Sequence, residues 1–258
     1  MHKPQPGWPM SSYLSAWRTF RALSDEPQRT AEHVVAQPAW PTRSSLRILD
    51  LGCGDGLMVQ AFLLSLGQTV ARALLLDPDN ELLGEAAARL GELALKAVIE
   101  PRLGGLEDQA AVLARQVDVG LAIHVVYLVE PEQFQQVVKR WPAGVPLYVV
   151  IDAPDSVFSK VWRYTAPEFA ARTQAAHRYL SSGSDGQSVS VRQTRFSTRV
   201  ANPFSLSEEV AEHVFSLISY AEFSKLSAEN RERTQQIIRE HADGKQLVCT
   251  CSCYEIVR

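Results

Sequence analysis

The stretch Arg47-Ile48-Leu49-Asp50-Leu51-Gly52-Cys53-Gly54-Asp55-Gly56 constrains this chain more than any other, because it reads as a buried strand running straight into a glycine-rich turn. Ile48, Leu49 and Leu51 form an apolar strand core. Gly52, Gly54 and Gly56 free the backbone for a tight turn and let a ligand approach it closely. Residues 57–66 then predict a helix whose N-terminus points at that ligand. The glycines alternate as D-x-G-x-G-x-G, which is not the G-x-G-x-x-G spacing of a dinucleotide site.

Strands and helices alternate downstream in the order that builds a doubly wound parallel sheet. Residues 71–76 predict a second strand ending in Asp77, followed by Pro78, Asp79 and a helix from residue 80. A carboxylate at the carboxyl edge of the second strand can accept hydrogen bonds from both vicinal hydroxyls of a ribose, and Asp77 lies about twenty residues beyond the glycine turn, the interval of Rossmann-type sites. Asp79 suits a helix N-cap better. A third strand is expected at 97–101. A fourth, at 117–123, is an almost continuous apolar run, as a strand covered on both faces requires. It ends at His124, three residues before Tyr127. Ligands of open α/β sheets bind at the carboxyl ends of the strands, which puts both residues at the reaction site. The imidazole suits proton transfer there, and equally a structural hydrogen bond at a strand end. A helix over 132–141 and a fifth strand at 147–151 complete the first half.

A chain of 258 residues makes one domain with a sizeable insertion. The expected division is an N-terminal helical cap over 1–45, a ligand-binding core over 46–152 and a substrate-side half over 153–258. Hydrophobic residues at 46%, charged residues at 21% and a net charge of -3 give no electrostatic case for nucleic acid or an anionic membrane. No window reaches the roughly eighteen apolar residues of a membrane span. The first ten residues are polar and proline-rich without a signal-peptide core, so a cytoplasmic location is expected. Of the four cysteines, Cys53 lies in the glycine turn, while Cys249, Cys251 and Cys253 alternate along what reads as the last strand. Thiols at i, i+2 positions on a single strand cannot by themselves close a tetrahedral shell, and no His stands near them in sequence, so no metal is expected.

The D-x-G-x-G-x-G turn resembles the first motif of the class I, Rossmann-like S-adenosylmethionine-dependent methyltransferases. The resemblance implies a seven-stranded, mostly parallel sheet with an antiparallel last strand and a helical insertion near the C-terminus. It also implies S-adenosylmethionine as cofactor and S-adenosylhomocysteine as product. In that family the glycine loop packs against the methionine part of the cofactor and no pyrophosphate has to be cradled. The implied cofactor residues are Asp50, Gly52, Cys53, Gly54 and Gly56 of the turn, Asp77 and Pro78 after the second strand, and His124. Such enzymes commonly place an acid in the loop after the third strand to bind the adenine amino group, with an apolar neighbour against the ring. Here Gly105 stands at that position, which leaves Glu107 or Asp108 for the acid and Leu106 for the apolar contact. Glu107 equally suits the start of the next helix.

Two further segments are similar to the histamine N-methyltransferase-like family: Tyr13 to Glu26 before the turn and Ala153 to Tyr164 after the fifth strand. By resemblance Tyr13, Trp17, Tyr127, Phe158 and Trp162 wall an aromatic substrate pocket, and Glu26 pairs with a substrate ammonium. The similarity extends to a sixth strand over 189–200, a helical insertion within 207–243 that is a candidate lid or dimer contact, and a closing strand over 245–257. Cys249 falls about where that family carries a substrate-binding Asn, a departure that counts against histamine itself and leaves a small amine as the expected substrate. On physical grounds Tyr13 and Trp17, and again Phe158 and Trp162, are spaced i, i+4 and share a helix face. Such pairs serve core packing as well as binding. Aromatic faces with a carboxylate attract a cation, whereas Asp25-Glu26-Pro27 also reads as a turn with Glu26 in solvent. The mixed charges over 228–245 predict a solvated helix face, and 183–186 a loop.

The expected activity is methyl transfer to a small molecule, at an amine or imidazole nitrogen, with His124 and Tyr127 as catalytic residues. An oxygen acceptor, or an S-adenosylmethionine-binding sensor without turnover, are the alternatives. A monomer or homodimer is expected, with neither nucleic acid nor membrane as partner.

Overall fold

The computed structural model describes residues 8–65, 69–93, 97–182 and 189–258. Two helices, α1 (Met10–Ala22) and α2 (Glu26–Val35), lead into β1 (Ser45–Leu51), and the chain then alternates through α3 (Leu57–Ser65), β2 (Thr69–Asp77), α4 (Asn80–Gly91), β3 (Val98–Leu103), α5 (Leu106–Leu113), β4 (Val119–Ile123), α6 (Pro131–Arg140) and β5 (Leu147–Asp152). Helices α7 (Val157–Thr165) and α8 (Pro167–Ser182) precede β6 (Ser190–Ala201). Helices α9 (Glu208–Ser219) and α10 (Ala228–His241) follow, then a two-residue β7 (Ala242–Asp243) and the long β8 (Gln246–Val257).

The strands form one sheet in the order β3-β2-β1-β4-β5-β8-β6, with β7 pairing β8 outside that path. β1 to β5 run parallel, and β8 is antiparallel to both of its neighbours. This is the doubly wound, mostly parallel sheet with an antiparallel last strand. β4 and β5 are buried along their whole length, as strands with both faces covered must be. One face carries Leu49, Leu74, Val149 and Ile151 against Phe134, Trp141 and Trp162. The other carries Ile48, Leu75, Leu121 and Val150 against Val34, Trp40 and Phe62. Chain order reverses between β1 and β4, and at that switch point the carboxyl ends of the strands leave a crevice.

The N-terminal helices are tied to the far end of the chain. Ser24 bridges Val200, Asp25 N donates to Arg199 O at 2.9 Å, and Ala201 N donates to Leu23 O at 3.1 Å. This clamp on β6 fixes where α2 begins. Pro27 sits in the first turn of that helix, where its missing N–H costs nothing, so Asp25-Glu26-Pro27 is a helix start. Glu26 is therefore held at the sheet and is not a solvated end.

The helical insertion is two helices. Tyr220 closes α9 in the left-handed conformation, φ 51°, and Ser227 caps α10 by accepting from Asn230 N at 3.2 Å. α10 buries Thr234 and Ile238 and turns Glu232, Arg233, Arg239 and Glu240 outward, the solvated face expected of mixed charge. Gly244, φ 59°, turns the chain between β7 and β8. The loop expected at 183–186, the end of the helix expected to reach residue 66 and the side chain of Asp108 lie outside the described residues.

Candidate functional site

The glycine turn has the backbone its sequence demands. Gly52, Gly54 and Gly56 all have positive φ, at 70°, 54° and 78°, where a side chain is strained. A Cβ on Gly52 would meet Val125 Cγ2 at 2.4 Å, and one on Gly56 would meet Ala86 Cβ at 2.8 Å. Gly56 thus packs the turn onto α4. Asp77, at the end of β2, grips the turn: one carboxylate oxygen accepts from Gly54 N and the other from Asp79 N, each at 2.9 Å. Burial raises its pKa in spite of those two bonds. Asp79 accepts from Glu81 N and Leu82 N and caps α4, as its position predicts. Asp55 accepts from Leu57 N at the start of α3 and pairs with Arg21 at 3.4 Å and Arg89 at 3.1 Å, which joins the turn to α1 and α4.

Beside the turn lies a cavity with two chemically different sides. On one side stand Asp50, Gly52, Cys53, Gly54, Asp77, Pro78 and Leu106. Asp50 is 2% exposed, and its Oδ2 has no hydrogen-bond partner. Burial, with the nearby Asp77 charge and against that of Arg21, pushes its pKa up to about 7. On the other side stand Tyr13, Trp17, Phe20, Tyr127, Phe158, Trp162, Phe169 and Tyr220. The rings meet mostly edge to face, Tyr127 with Trp162 at 5.3 Å and Phe158 with Trp162 at 5.5 Å between centroids. Trp17 lies under the Arg21 guanidinium at 4.7 Å.

His124, Glu26 and Asp152 form the floor. His124 leaves β4 in the left-handed conformation, φ 54°, while its N–H still donates to Val150 O at 2.8 Å. Such a conformation costs a bulky residue of order 1–3 kcal/mol and marks functional sites. Its Nε2 is 2.9 Å from Glu26 Oε1, a close ion pair that falls short of a well-aligned hydrogen bond. Its Nδ1 is 3.7 Å from Asp152 Oδ2. Burial alone would lower the His124 pKa, but Glu26 and Asp152 outweigh it and hold the ring above its ordinary value. Burial works equally against ionisation of Glu26, where His124 and Arg21 prevail and keep the carboxyl low. Asp152 goes the other way: burial and the Glu26 charge, against that of His124, push it up to about 7. Behind the floor His177 bridges Asp152 O at 2.8 Å and Tyr254 Oη at 2.6 Å, anchoring the end of β5.

Of the residues singled out in the sequence, the fold gathers Tyr13, Trp17, Glu26, Asp50, Gly52, Cys53, Gly54, Asp77, Pro78, Leu106, His124, Tyr127, Phe158 and Trp162 around this cavity. Gly56 and Glu107 do not line it. Gly56 faces Ala86, and Glu107 is exposed in the first turn of α5, with its carboxylate folded back toward Gly105. Among the described residues the carboxylates that line it are Glu26, Asp50, Asp77 and Asp152, and Glu107 is not one of them. Asp152 escaped the sequence reading although it follows an apolar strand just as Asp77 does. Arg21 stands one helical turn beyond Trp17 and was legible on that ground. Phe169 and Tyr220 had no local signal.

The three thiols are buried, and Cys253 and Cys251 pair with Thr194 and Phe196 across β6. The absence of a neighbouring His in sequence does not carry over to space. Among the described residues one group can hold a metal ion: Glu26, His124 and Cys251, with one ligand atom of each within 4.8 Å of the others. Among the described residues no helix is long and apolar enough to cross a membrane.

Three solved structures share this architecture. A methyltransferase from Bacillus halodurans, itself assigned only provisionally, superposes with a TM-score of 0.53 over 88% of this chain and 95% of its own, at 11% identity. The plantazolicin methyltransferase BamL, solved with a triazolic desmethylPZN analogue and S-adenosylhomocysteine, gives 0.52 over 96% and 91% at 15% identity. The YcgJ protein from Bacillus subtilis gives 0.52 over 89% and 98% at 13% identity. No family model and no curated protein sequence matches this chain. The likenesses show the fold, which is that of the class I S-adenosylmethionine-dependent methyltransferases.

Proposed function

We propose that this protein transfers the methyl group of S-adenosylmethionine to the nitrogen of a small amine or imidazole. The observation that carries the reading is the floor of the cavity, where two carboxylates and an imidazole lie under aromatic walls and directly beside the glycine turn.

The first side suits the cofactor. Asp50 Oδ2 is a buried acceptor without a partner, which suits the ammonium of a bound amino acid. Gly52 and Gly54 line the cavity without side chains of their own, with Val125 and Trp17 against them, and Asp77 stands where a ribose can meet its carboxylate. S-adenosylmethionine bound there supplies a methyl group activated on a sulfonium.

The second side suits a cationic acceptor. Aromatic faces attract an ammonium through the ring quadrupole, and Glu26, kept ionised by His124 and Arg21, adds a charge-assisted hydrogen bond. The buried Trp162 Nε1 has no partner and offers a donor to a polar atom of the acceptor. An amine arriving protonated must lose one proton before its lone pair is free. Asp152, with a pKa of about 7, is matched to take that proton near neutrality, and His124 beside it relays or orients. The N–C bond then forms as the S–C bond breaks. The chain's main contribution is alignment, worth up to roughly 7–11 kcal/mol in well-oriented systems.

Calorimetry with S-adenosylhomocysteine, followed by mass spectrometry of an amine and a phenol panel, tests the reading. Amines gaining one methyl while phenols do not is the expected result. Methylated phenols alone would move the acceptor to oxygen, and cofactor binding without any product would make the chain a sensor.

A further inference from the structure

Glu26, His124 and Cys251 come from three distant segments: the start of α2, the end of β4 and the middle of β8. Each offers one ligand atom, and the three atoms lie within 4.8 Å of one another. Oxygen, nitrogen and sulfur together are the donor set of a borderline-soft divalent cation, and structural and catalytic Zn²⁺ sites use all three.

Two independent features of His124 point the same way. Its Nε2 is buried and makes no well-aligned hydrogen bond, although Glu26 Oε1 lies 2.9 Å away. The opposite nitrogen, Nδ1, lies 3.7 Å from Asp152 Oδ2, an electrostatic neighbour beyond hydrogen-bond distance, on the side where a metal-bound histidine keeps its remaining N–H. Cys251 is held by rigid structure, since it pairs with Asp152 across β5 and β8 and with Phe196 across β6 and β8, and it is 1% exposed. Its thiol is pushed well above its ordinary range by burial and by the Asp152 and Glu26 charges. A coordinated thiol is nevertheless deprotonated outright, its proton passing to solvent.

We propose that Glu26 Oε1, His124 Nε2 and Cys251 Sγ bind one borderline-soft divalent cation at the floor of the cavity. Three protein ligands leave a fourth position open toward the aromatic walls. Because Glu26 is also the carboxylate assigned to the ammonium, cation and amine exclude each other. Only this competition rests on the proposed methyl transfer.

The test uses the full chain, stripped of metal, with Zn²⁺ titrated against a chromophoric chelator. One Zn²⁺ per chain is expected. Cys251→Ser and Glu26→Gln should each weaken binding by at least the ~10-fold that loss of an outer partner costs, while Cys253→Ser leaves it unchanged. Co²⁺ in the unaltered chain should show a sulfur-to-metal charge-transfer band, which reads ligation without any variant. Absence of that band, or a Zn²⁺ affinity that Cys251→Ser leaves intact, overturns the site. Zn²⁺ should also inhibit amine methylation competitively with the amine, and inhibition indifferent to amine concentration overturns the shared position. Zn²⁺ binding with no amine turnover would sink the transfer reading and spare the metal site. Turnover without Zn²⁺ binding would do the reverse.

Discussion

On the cofactor side of the cavity, charges are held by backbone. Asp77 takes N–H groups from Gly54 and Asp79, and Asp55 takes one from Leu57. On the acceptor side, Glu26, His124 and Asp152 face one another with few directed hydrogen bonds, and Trp162 Nε1 and His124 Nε2 are buried without a well-aligned hydrogen bond. Buried polar groups are normally satisfied, and each exception asks for a cause, of which a bound ligand is one. The first side is a finished frame with one open acceptor, Asp50 Oδ2. The second is a set of charges balanced only against each other, and its pKa values are spread apart accordingly.

Substitutions should separate the two sides. The largest effect is expected from His124→Asn, which keeps a residue tolerant of the left-handed backbone and removes the imidazole. Turnover should fall by roughly 10²–10⁴-fold, the usual worth of a positioned proton-transfer group, with S-adenosylhomocysteine affinity by calorimetry little changed. Unaltered turnover would return His124 to a structural role. Next is Glu26→Gln, which should raise KM for the amine by about 10–100-fold, the worth of one hydrogen bond to a charged group, again sparing the cofactor. Asp77→Asn should show the mirror image, with cofactor affinity reduced by about 10-fold through one lost charge-assisted bond and the amine KM unmoved. If either variant shifted both constants alike, the division into two sides would fail.

A smaller effect is expected from pH. The Asp152 carboxyl stands at about 7 in the folded chain against an ordinary 3.8, so between those values the folded state holds a proton that the unfolded state has lost. Its contribution to stability is therefore present below pH 4 and is lost as pH rises toward 7. Binding of an ammonium has the opposite sign, since it wants Asp152 ionised and should strengthen as pH rises through 7. In Asp152→Asn the dependence of KM should flatten and that of the melting temperature should weaken but persist, because Asp50, also pushed up to about 7, contributes with the same sign, as both quantities measured from pH 5 to 8 would show. The smallest change is Arg18→Ala, which removes a largely exposed pair with Glu85 that links α1 to α4. Melting should change by no more than about 1 kcal/mol.

The same contrast explains what could be read before folding. The Asp79 cap is legible because it works through neighbours a few residues away, and the glycine turn and Asp77 because each stands at the end of an apolar strand, although Asp77 reaches Gly54 across 23 residues. Asp152 was equally legible, as an acid directly after an apolar strand. Gly56 and Glu107 show the limit of spacing: the alternating glycines do not reveal that one of them faces Ala86, nor the loop that Glu107 turns back on itself. Tyr220 is set by a left-handed turn between helices, and Cys251 by pairing with β5 and β6. No local pattern encodes either, and the same is true of the meeting of Cys251 with His124 and Glu26.

The clamp between Ser24–Asp25 and Arg199–Val200 has a consequence for biogenesis. A chain emerging from the ribosome acquires β1 to β5 and the glycine turn within its first 152 residues, while Glu26 waits for a strand that ends at residue 201. Helices α1 and α2 are made before the sheet and are clamped only once β6 is present. A nascent or truncated polypeptide lacking β6 would carry the turn and Asp77 without the strand that holds Glu26, so the pocket becomes complete only after β6, and the β8 that ties it to the sheet, have been made.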